Sequence, residues 1–532
     1  MGIDEKHLPV QSDGIAQTIQ HGDIHPQPTS DPLDPLNWSA FQKNSILGIV
    51  MFKYFLFTYI TTTTVPSFPS IQSQFDISYA QVNWTVALPA LGLSVGPLIW
   101  SSLGDIYGRR VVFLVGTVIA LVSTVGAAVA DDYGGYMAAR FFQGVGVSPA
   151  SSVGMAVVND LFFDYERGQK LGLWVLAIDS GLLLGPTFGG FLNLVSAAWI
   201  NWFNAILFGV LLVLELLFMP ETLYPRSLML QCTSLPTSTS SSSSSDIEQG
   251  VPTDKSTPKS RETPPPRADR TVNEEKEQFP RTKTLPFINI HPIPGLRHPS
   301  IFAAMQRFIL TFTQCPIAAA TVVGYVFTWY WWVLSVITMI PAAYAEWTPL
   351  TQGLLFLGLL VGTVVSEVGC SGRLSDALVN RLARRNGGVR VAEMRLWLGW
   401  PAVGVTALGL ILWGVSIDKS YHWMVGQVAF FFFASGIQIG NTITTSYIID
   451  IHPLQSTSIV IFYAVFLNLS AFINPFFIAP WQESTGWTWT FTTQALIVVV
   501  LSGSGLAALQ RFGASWRSRA PVPGWVNAEF DS

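Results

Sequence analysis

The stretch AIDSGLLLGPTFGG, residues 177–190, lies in a long apolar run but carries residues that such runs rarely contain. Its leucines and isoleucine suit a helix that meets lipid. Asp179 introduces a carboxylate, and four glycines and Pro186 follow it, although both residue types weaken helices. The composition of the whole chain decides whether this segment meets water or lipid.

The composition of the 532-residue chain is typical of a polytopic membrane protein. Hydrophobic residues make up 50% and charged residues 12% of the chain, whereas soluble domains carry about 25% charged residues. A deficit of this size requires lipid as a second apolar solvent. The net charge of −4 indicates nothing about partners, and no basic block is long enough to suggest nucleic acid.

The residues that usually carry metals, cofactors or catalysis are sparse and scattered. Cys232, Cys315 and Cys370 match no zinc, haem or disulfide spacing. None of the seven histidines falls in the middle of an apolar run, and no G-x-x-x-x-G-K-[ST] loop of an ATP-driven pump is present. We therefore predict no metal, no cofactor and no enzymatic activity.

Twelve runs of about 20 mostly apolar residues predict twelve transmembrane helices. Six runs precede a long polar gap and six follow it, so the predicted fold is an all-α membrane protein of two pseudo-symmetric six-helix bundles. The predicted spans are 44–66, 81–103, 111–130, 136–160, 169–192, 200–219, 317–342, 351–372, 396–416, 421–448, 457–480 and 488–509.

The polar segments divide the chain into five predicted parts. The first forty residues lack the basic region and short apolar core of a signal peptide. The gap is rich in Ser, Pro and charged residues, which predicts a disordered linker whose serines are either phosphorylation sites or a solvated spacer. The parts are a tail at 1–43, a bundle at 44–219, the linker at 220–305, a second bundle at 306–510 and a tail at 511–532.

Basic residues are concentrated in alternate loops, which predicts the orientation of the chain. The loops on the opposite side contain Lys419 as their only Lys or Arg. Since basic loops stay in the cytoplasm, we expect both termini and the linker there. The basic loops outside the linker hold Arg109, Arg110, Arg167, Lys170, Arg373, Arg381, Arg384, Arg385, Arg390 and Arg395.

Two of these loops repeat one pattern. SSLGDIYGRR, residues 101–110, and GRLSDALVNR, residues 372–381, both place x-Leu-x-Asp at a helix end with an arginine five residues beyond the Asp. A repeat of six spans is what alternating-access transporters show.

Three motifs make the chain resemble the major facilitator superfamily over almost its whole length. The loop motif G-x-L-x-D-R-x-G-R-R departs at Ser101 and Ile106, while RFFQGVG, residues 140–146, matches the fourth-span motif R-x-x-Q-G-x-G in full. The loop motif is otherwise met by Leu103, Asp105, Gly108, Arg109 and Arg110. The fifth-span motif G-x-x-x-G-P-x-x-G-G is met by Gly181, Gly185, Pro186, Gly189 and Gly190.

The resemblance implies the fold and a class of activity. In the superfamily the fifth-span motif marks exporters that exchange substrate for protons. DPLNW, VPSFPSI, ETLYPR and RLARRNGGVRVAEMRLW further resemble fungal twelve-span drug:proton antiporters, which implies a plasma-membrane monomer that exports drugs, toxins or secondary metabolites and confers multidrug resistance. Proton-coupled uptake of a metabolite or polyamine, and a non-transporting sensor, remain alternatives.

The loop motif and its repeat predict a cytoplasmic gate. A carboxylate at a helix end and guanidinium groups a few residues on form charge-assisted bonds, which we expect to link the two halves. The alternative is that the arginines only fix topology. The predicted gating residues are Asp105, Gly108, Arg109, Arg110, Arg373 and Asp376.

Three charged residues inside predicted spans are candidates for proton coupling. Arg140 is tied to coupling by the resemblance, or else extends to the outer interface. Asp179 and Lys53 each lie about nine residues into a span, about 13 Å deep. We therefore expect Asp179 to be a proton site whose ionisation depends on Lys53; a static pair, or two groups that face water separately, is the alternative.

Glu215 and Glu367 are expected to be solvated at the cytoplasmic interface, with Glu367 a further candidate for the second gate.

The second half offers candidates for a substrate cavity. Tyr325, Trp329 and Trp332 fall at i, i+4 and i+7 and predict an aromatic wall for flat organic ligands, or else packing against lipid. Amides inside spans either bind cargo or bond neighbouring helices; those predicted to reach the cavity are Gln438, Asn441 and Asn468.

Overall fold

The computed structural model describes seven stretches of the chain. Most of the predicted tails and most of the predicted linker lie outside them, and the domain limits stay predictions. The described residues are 28–29, 31–224, 226, 300–371, 373–389, 391–452 and 455–520.

Eight helices make up the described part of the first half. Hydrogen-bonding side chains set several of their starts: Ser78 and Gln81 form a reciprocal capping box, and Asp132 accepts the backbone N–H of Gly135. The helices are α1 Ala40–Thr62, α2 Phe68–Phe75, α3 Tyr79–Tyr107, α4 Arg109–Ala128, α5 Tyr133–Val147, α6 Pro149–Leu161, α7 Asp164–Asn193 and α8 Ala197–Phe218.

The second half contains nine helices within the residues that the structure describes. Three π-helical turns, Val326–Tyr330, Glu367–Ser371 and Val498–Ser502, interrupt or extend them. The helices are α9 Ala303–Gln314, α10 Pro316–Tyr325, α11 Trp332–Ala343, α12 Pro349–Ser366, α13 Arg373–Arg385, α14 Gly399–Asp418, α15 Trp423–Ile451, α16 Ser456–Ile497 and α17 Gly503–Arg519.

The described chain contains twelve spans, as predicted. Eleven helical segments are long and apolar enough to cross a membrane. The last of them, Ser456–Arg519, has 64 residues, which is too long for one crossing of about 30 Å. Gly486 within it has a φ of 76° and a ψ of 171°, outside the helical region. The segment therefore holds the eleventh and twelfth spans.

The two halves contact each other in a symmetric pattern. The second span, α3, packs against the eleventh, in α16, and the fifth, α7, packs against the eighth, α12. Ser94 Oγ donates to the Val465 carbonyl at 3.0 Å in the first contact. Thr187 Oγ1 donates to the Gly353 carbonyl at 3.0 Å in the second. The second span of each half thus faces the fifth span of the other half, and α7 lies at the contact between the halves.

Candidate functional site

The glycines of α7 form a close seam with α1. A Cβ at Gly181 would lie 2.1 Å from the Phe55 carbonyl oxygen, and one at Gly189 would lie 1.9 Å from that of Thr63. At Gly185 it would lie 2.5 Å from the Thr62 hydroxyl. Only glycine permits this approach, so these glycines, spaced by four residues, form a contact surface on one face of α7.

Pro186 frees a backbone group, and α1 satisfies it. Proline has no N–H, so the Leu182 carbonyl four residues earlier loses its helical partner. Thr62 Oγ1 donates to that carbonyl at 2.8 Å. The seam therefore combines close packing with a replacement hydrogen bond, and the helix tolerates its proline.

The same motif also touches the second half. A Cβ at Gly190 would lie 2.7 Å from the Pro349 carbonyl oxygen, and one at Gly353 would lie 2.5 Å from that of Pro186. The helix α7 thus packs on α1 with one face and on α12 with another. A movement of one half relative to the other therefore changes this contact.

Asp179 faces a cavity between the halves. The cavity lies between α7 and the seventh, eighth and tenth spans. Its lining is mostly apolar, with Leu182, Val333 and Phe433 among its members. Asp179 Oδ2 is buried and has no hydrogen-bond partner. A buried carboxylate oxygen without a partner is costly, which makes Asp179 the strongest functional candidate on α7.

Asp179 and Lys53 do not pair, so that expectation is wrong. Asp179 is two residues, about 200° of helix, before Gly181, and therefore points away from α1. Lys53 Nζ instead donates to the Phe113 carbonyl at 2.6 Å and to Thr117 Oγ1 at 2.8 Å. Equal depth in two helices does not make their side chains face each other.

Glu215 is the carboxylate that neutralises Lys53. The two groups are 3.2 Å apart and both side chains are fully buried. Thr117 Oγ1 donates to the same Glu215 oxygen at 2.9 Å. The expected solvation of Glu215 at the interface is therefore wrong: it belongs to an ion pair sealed between α1, α4 and α8.

The second carboxylate near the cavity is Glu367. Gln438, which lines the cavity, donates to Glu367 Oε2 at 2.9 Å, and Thr442 donates to the same oxygen at 3.2 Å. Glu367 was expected at the interface or in a gate, whereas the structure connects it through Gln438 to the cavity of Asp179. The position of Gln438 at this cavity agrees with its prediction.

The aromatic residues of the seventh span are placed differently from the prediction. Tyr325, Trp329 and Trp332 are buried, which rules out packing against lipid. The Trp329 indole N–H donates to Thr406 Oγ1 at 3.0 Å inside the second half. Tyr330 lines the Asp179 cavity in their place, because the π-helical turn Val326–Tyr330 adds a residue to the helical repeat.

The two asparagines predicted to reach the cavity bond within their own half. Asn441 accepts from the Tyr463 hydroxyl, and Asn468 Nδ2 donates to the Ala464 carbonyl one turn earlier at 2.8 Å. Neither lines the Asp179 cavity. Asn441 thus bonds a neighbouring helix, as the alternative expected, whereas Asn468 bonds its own helix. A role of either in binding cargo stays a prediction.

Arg140 is fully buried, so extension to the outer interface is wrong. Its guanidinium donates to the carbonyls of Thr85 at 3.2 Å and Ile60 at 2.9 Å, and to Gln143 Oε1 at 2.8 Å. No carboxylate pairs with it among the described residues. Carbonyl dipoles therefore hold this cation, and its role in coupling stays a prediction.

The predicted gate residues of the first half bond to one another. Arg109 contacts Asp105, and its Nε lies 3.6 Å from Asp160. Glu221 accepts the backbone N–H groups of Arg109 and Arg110 at 2.8 and 3.1 Å and so caps α4. These bonds stay within the first half. Glu221 belongs to ETLYPR, so the resemblance pointed to the segment but not to this role.

Gly108 explains why the motif needs glycine before the two arginines. Its φ is 97°, and a Cβ there would lie 2.3 Å from Glu221 Oε2. Both the backbone conformation and the capping carboxylate exclude a side chain. Arg373 and Asp376 occupy the start of α13, but their side chains lie outside the described part, so the second gate stays a prediction.

The sequence matches the Major Facilitator Superfamily over residues 50–475. The chain belongs to this superfamily. It is similar to the probable efflux pump mfs2 of Aspergillus flavus, with 26% identity over 85% of this chain and 98% of that protein. It is also similar to protein HOL1 of Saccharomyces cerevisiae, with 24% identity over 89% and 86%.

Solved structures show the same fold. The partially occluded, inward-open xylose transporter XylE of E. coli superposes with a TM-score of 0.59 at 14% identity, covering 89% of this chain and 98% of that one. The chain is therefore a membrane transporter of the Major Facilitator Superfamily and not an enzyme. Its partners include the lipid bilayer and a small-molecule substrate.

One feature of this transporter precedes its first span. Asp34, fully buried, accepts Arg226 at 3.0 Å and the backbone N–H of Thr29 at 2.9 Å. Burial raises the pKa of Asp34, but the bonds from Arg226 and Thr29 outweigh it and hold the pKa below its ordinary value. Arg226 also donates to the Asp160 carbonyl at 3.5 Å. These bonds hold the residues before α1 next to Asp160, which contacts the predicted gating residue Arg109.

Proposed function

We propose that this transporter exports small organic compounds in exchange for protons, by alternating access through a site at Asp179. The observation that carries the proposal is the unpartnered Asp179 oxygen in a cavity between the halves. A carboxylate without a counter-charge in an apolar site binds a proton readily. A site shared by both halves is where alternating access exposes cargo to each side in turn.

Export is supported by the relatives. Several similar proteins are named efflux pumps, among them one from Trichophyton rubrum with 26% identity over 94% of this chain and 77% of that protein. The complete fifth-span motif of α7, which resembles that of antiporters, points the same way. In this proposal the transporter is a monomer in the plasma membrane, with both termini in the cytoplasm.

Growth of an overexpressing fungal host on a panel of toxic cations, anions and neutral compounds tests direction. An exporter confers resistance to its substrates, whereas an importer sensitises the host. Sensitisation, or no change across the whole panel while the protein is present at the cell surface, would contradict the proposal.

Proton coupling needs a second measurement on the full-length chain in proteoliposomes. A pH gradient should drive flux of a compound taken from the growth panel. Asp179→Asn should abolish the gradient-driven part, and Asp179→Glu should restore some of it with an altered pH profile. Glu346→Gln, at an exposed carboxylate, serves as the matched control. Unchanged pH dependence in Asp179→Asn would exclude Asp179 as the proton site.

A further inference from the structure

The charges around the Asp179 cavity are all of one sign. Asp179 comes from the first half, and Glu367, joined to the cavity through Gln438, comes from the second. Among the described residues that line the cavity, none is Lys, Arg or His. Lys53 and Arg140 are held elsewhere by their own partners. The site therefore has negative charge on both halves and no internal cation to neutralise it.

Tyrosine side chains lie near the same carboxylate, and Tyr330 among them lines the cavity. Four of them lie within electrostatic range of Asp179, and they come from the first, seventh and eleventh spans. Phenol rings attract cations through their faces. The four residues are Tyr54, Tyr325, Tyr330 and Tyr463.

The rest of the lining is apolar except for Thr363. Leu183, Ile337, Leu359 and Phe433 surround the single unpartnered carboxylate oxygen. This combination suits a ligand that carries a positive charge on an apolar body, because a hydrophilic ion would lose its hydration without replacement. An anion would meet two carboxylates and no donor of opposite charge.

We infer that the cargo of this site is an organic cation, of the substituted ammonium or phosphonium type, held between Asp179 and Glu367 among the tyrosines. The inference rests on the proposed function, since it names the substrate class of the same site. A cation and a proton then compete for the Asp179 carboxylate: when the proton binds, the cation leaves, and no bond other than O–H is made or broken.

Binding to the purified full-length chain tests the charge requirement directly. Tetraphenylphosphonium and tetraphenylborate have nearly the same shape and opposite charge. Quenching of tryptophan fluorescence in detergent, corrected with protein-free micelles, should show saturable binding of the phosphonium and none of the borate. Equal or tighter binding of the borate would overturn the inference.

Variants locate the binding site. Asp179→Asn should weaken phosphonium binding about tenfold or more, and Glu367→Gln should weaken it less because Gln438 and Thr442 already bond that carboxylate. Tyr330→Phe should bind like wild type, whereas Tyr330→Leu should bind more weakly. Glu346→Gln is the control for removal of an exposed carboxylate. Undiminished affinity in Asp179→Asn, with a normal elution profile, would refute the site.

The pH dependence of binding separates this inference from the proposed function. Phosphonium affinity should fall as the pH is lowered in wild type and should be nearly independent of pH in Asp179→Asn. The groups that face Asp179 are Glu367 and the four tyrosines, and the tyrosines stay neutral in this range. Phosphonium binding without flux driven by a pH gradient would refute proton-coupled export and leave the substrate class intact. Flux of neutral compounds alone, driven by a pH gradient, would support proton-coupled export and refute the organic cation as the substrate class.

Discussion

Two membrane-spanning helices carry buried carboxylates, Glu215 and Asp179, whose surroundings differ. Glu215 is sealed inside the first half with Lys53 at 3.2 Å and Thr117 at 2.9 Å. Each carboxylate has one buried oxygen without a hydrogen-bond partner, but Asp179 lies between the halves, and none of the described residues that line its cavity is a cation. The first arrangement satisfies its charge in the protein itself, and the second leaves a charge for something that arrives from outside.

The difference separates a structural charge from a functional one. The partners of Glu215 all belong to one bundle, so a movement between the bundles leaves them in place. The surroundings of Asp179 belong to both bundles, so the same movement changes them.

Breaking the sealed pair should have the largest effect on stability. Lys53→Met leaves the Glu215 carboxylate buried without a counter-charge, which costs about 3–5 kcal/mol. We expect a large fall in the thermal unfolding midpoint of the purified protein in detergent. The double variant Lys53→Met/Glu215→Leu should recover most of that loss. A single variant as stable as wild type would show that the pair is not structural.

A smaller loss of stability should follow from adding a side chain to the glycine seam between α7 and α1. In Gly189→Ala the new Cβ would meet the Thr63 carbonyl at 1.9 Å, and overpacking of this kind costs about 1–3 kcal/mol. Gly172→Ala, on the same helix with nothing within 4 Å, is the matched control. The same thermal measurement applies, and equal midpoints for the two variants would mean that α1 and α7 separate easily.

A paired carboxylate outside the spans should give an intermediate case. Asp34→Asn removes the charge that Arg226 contacts and should cost about 1–2 kcal/mol. Because the folded-state pKa of Asp34 is lowered, its contribution is present above the ordinary pKa of about 3.9. It disappears as the pH falls through the folded-state value. Unfolding midpoints of variant and wild type should converge in that acidic range; a constant difference would contradict this assignment.

The smallest effect on stability is expected at the open site. Asp179→Asn replaces a carboxylate whose Oδ2 has no partner with a neutral amide of the same shape, so the unfolding midpoint should stay unchanged or rise. Only transport and cation binding should suffer. A fall as large as that of Lys53→Met would show that Asp179 has a structural partner and would remove the contrast between the two sites.

Span positions and the glycine face could be predicted from the sequence because both follow from periodicity and length. The partner of Lys53 could not, since Glu215 is far away in the chain and neighbouring residues differ by about 100° in direction. Tyr330 was missed for a related reason: a π-helical turn shifts the helical face, and the sequence of the seventh span gives no warning of it. Glu367 was expected at the interface because it is close to the end of a span. That distance does not reveal its hydrogen bond with Gln438 of another span.

The contact between Gly190 and Gly353 has a mechanical consequence. It lies three residues from the end of α7 and four from the start of α12, at the end of both helices remote from Arg109. At 1.5 Å per residue, the lever arm along α7 is about 40 Å toward the arginine end and about 5 Å toward the other. A small rotation of one half about this pivot would open the arginine end widely and barely part the opposite end.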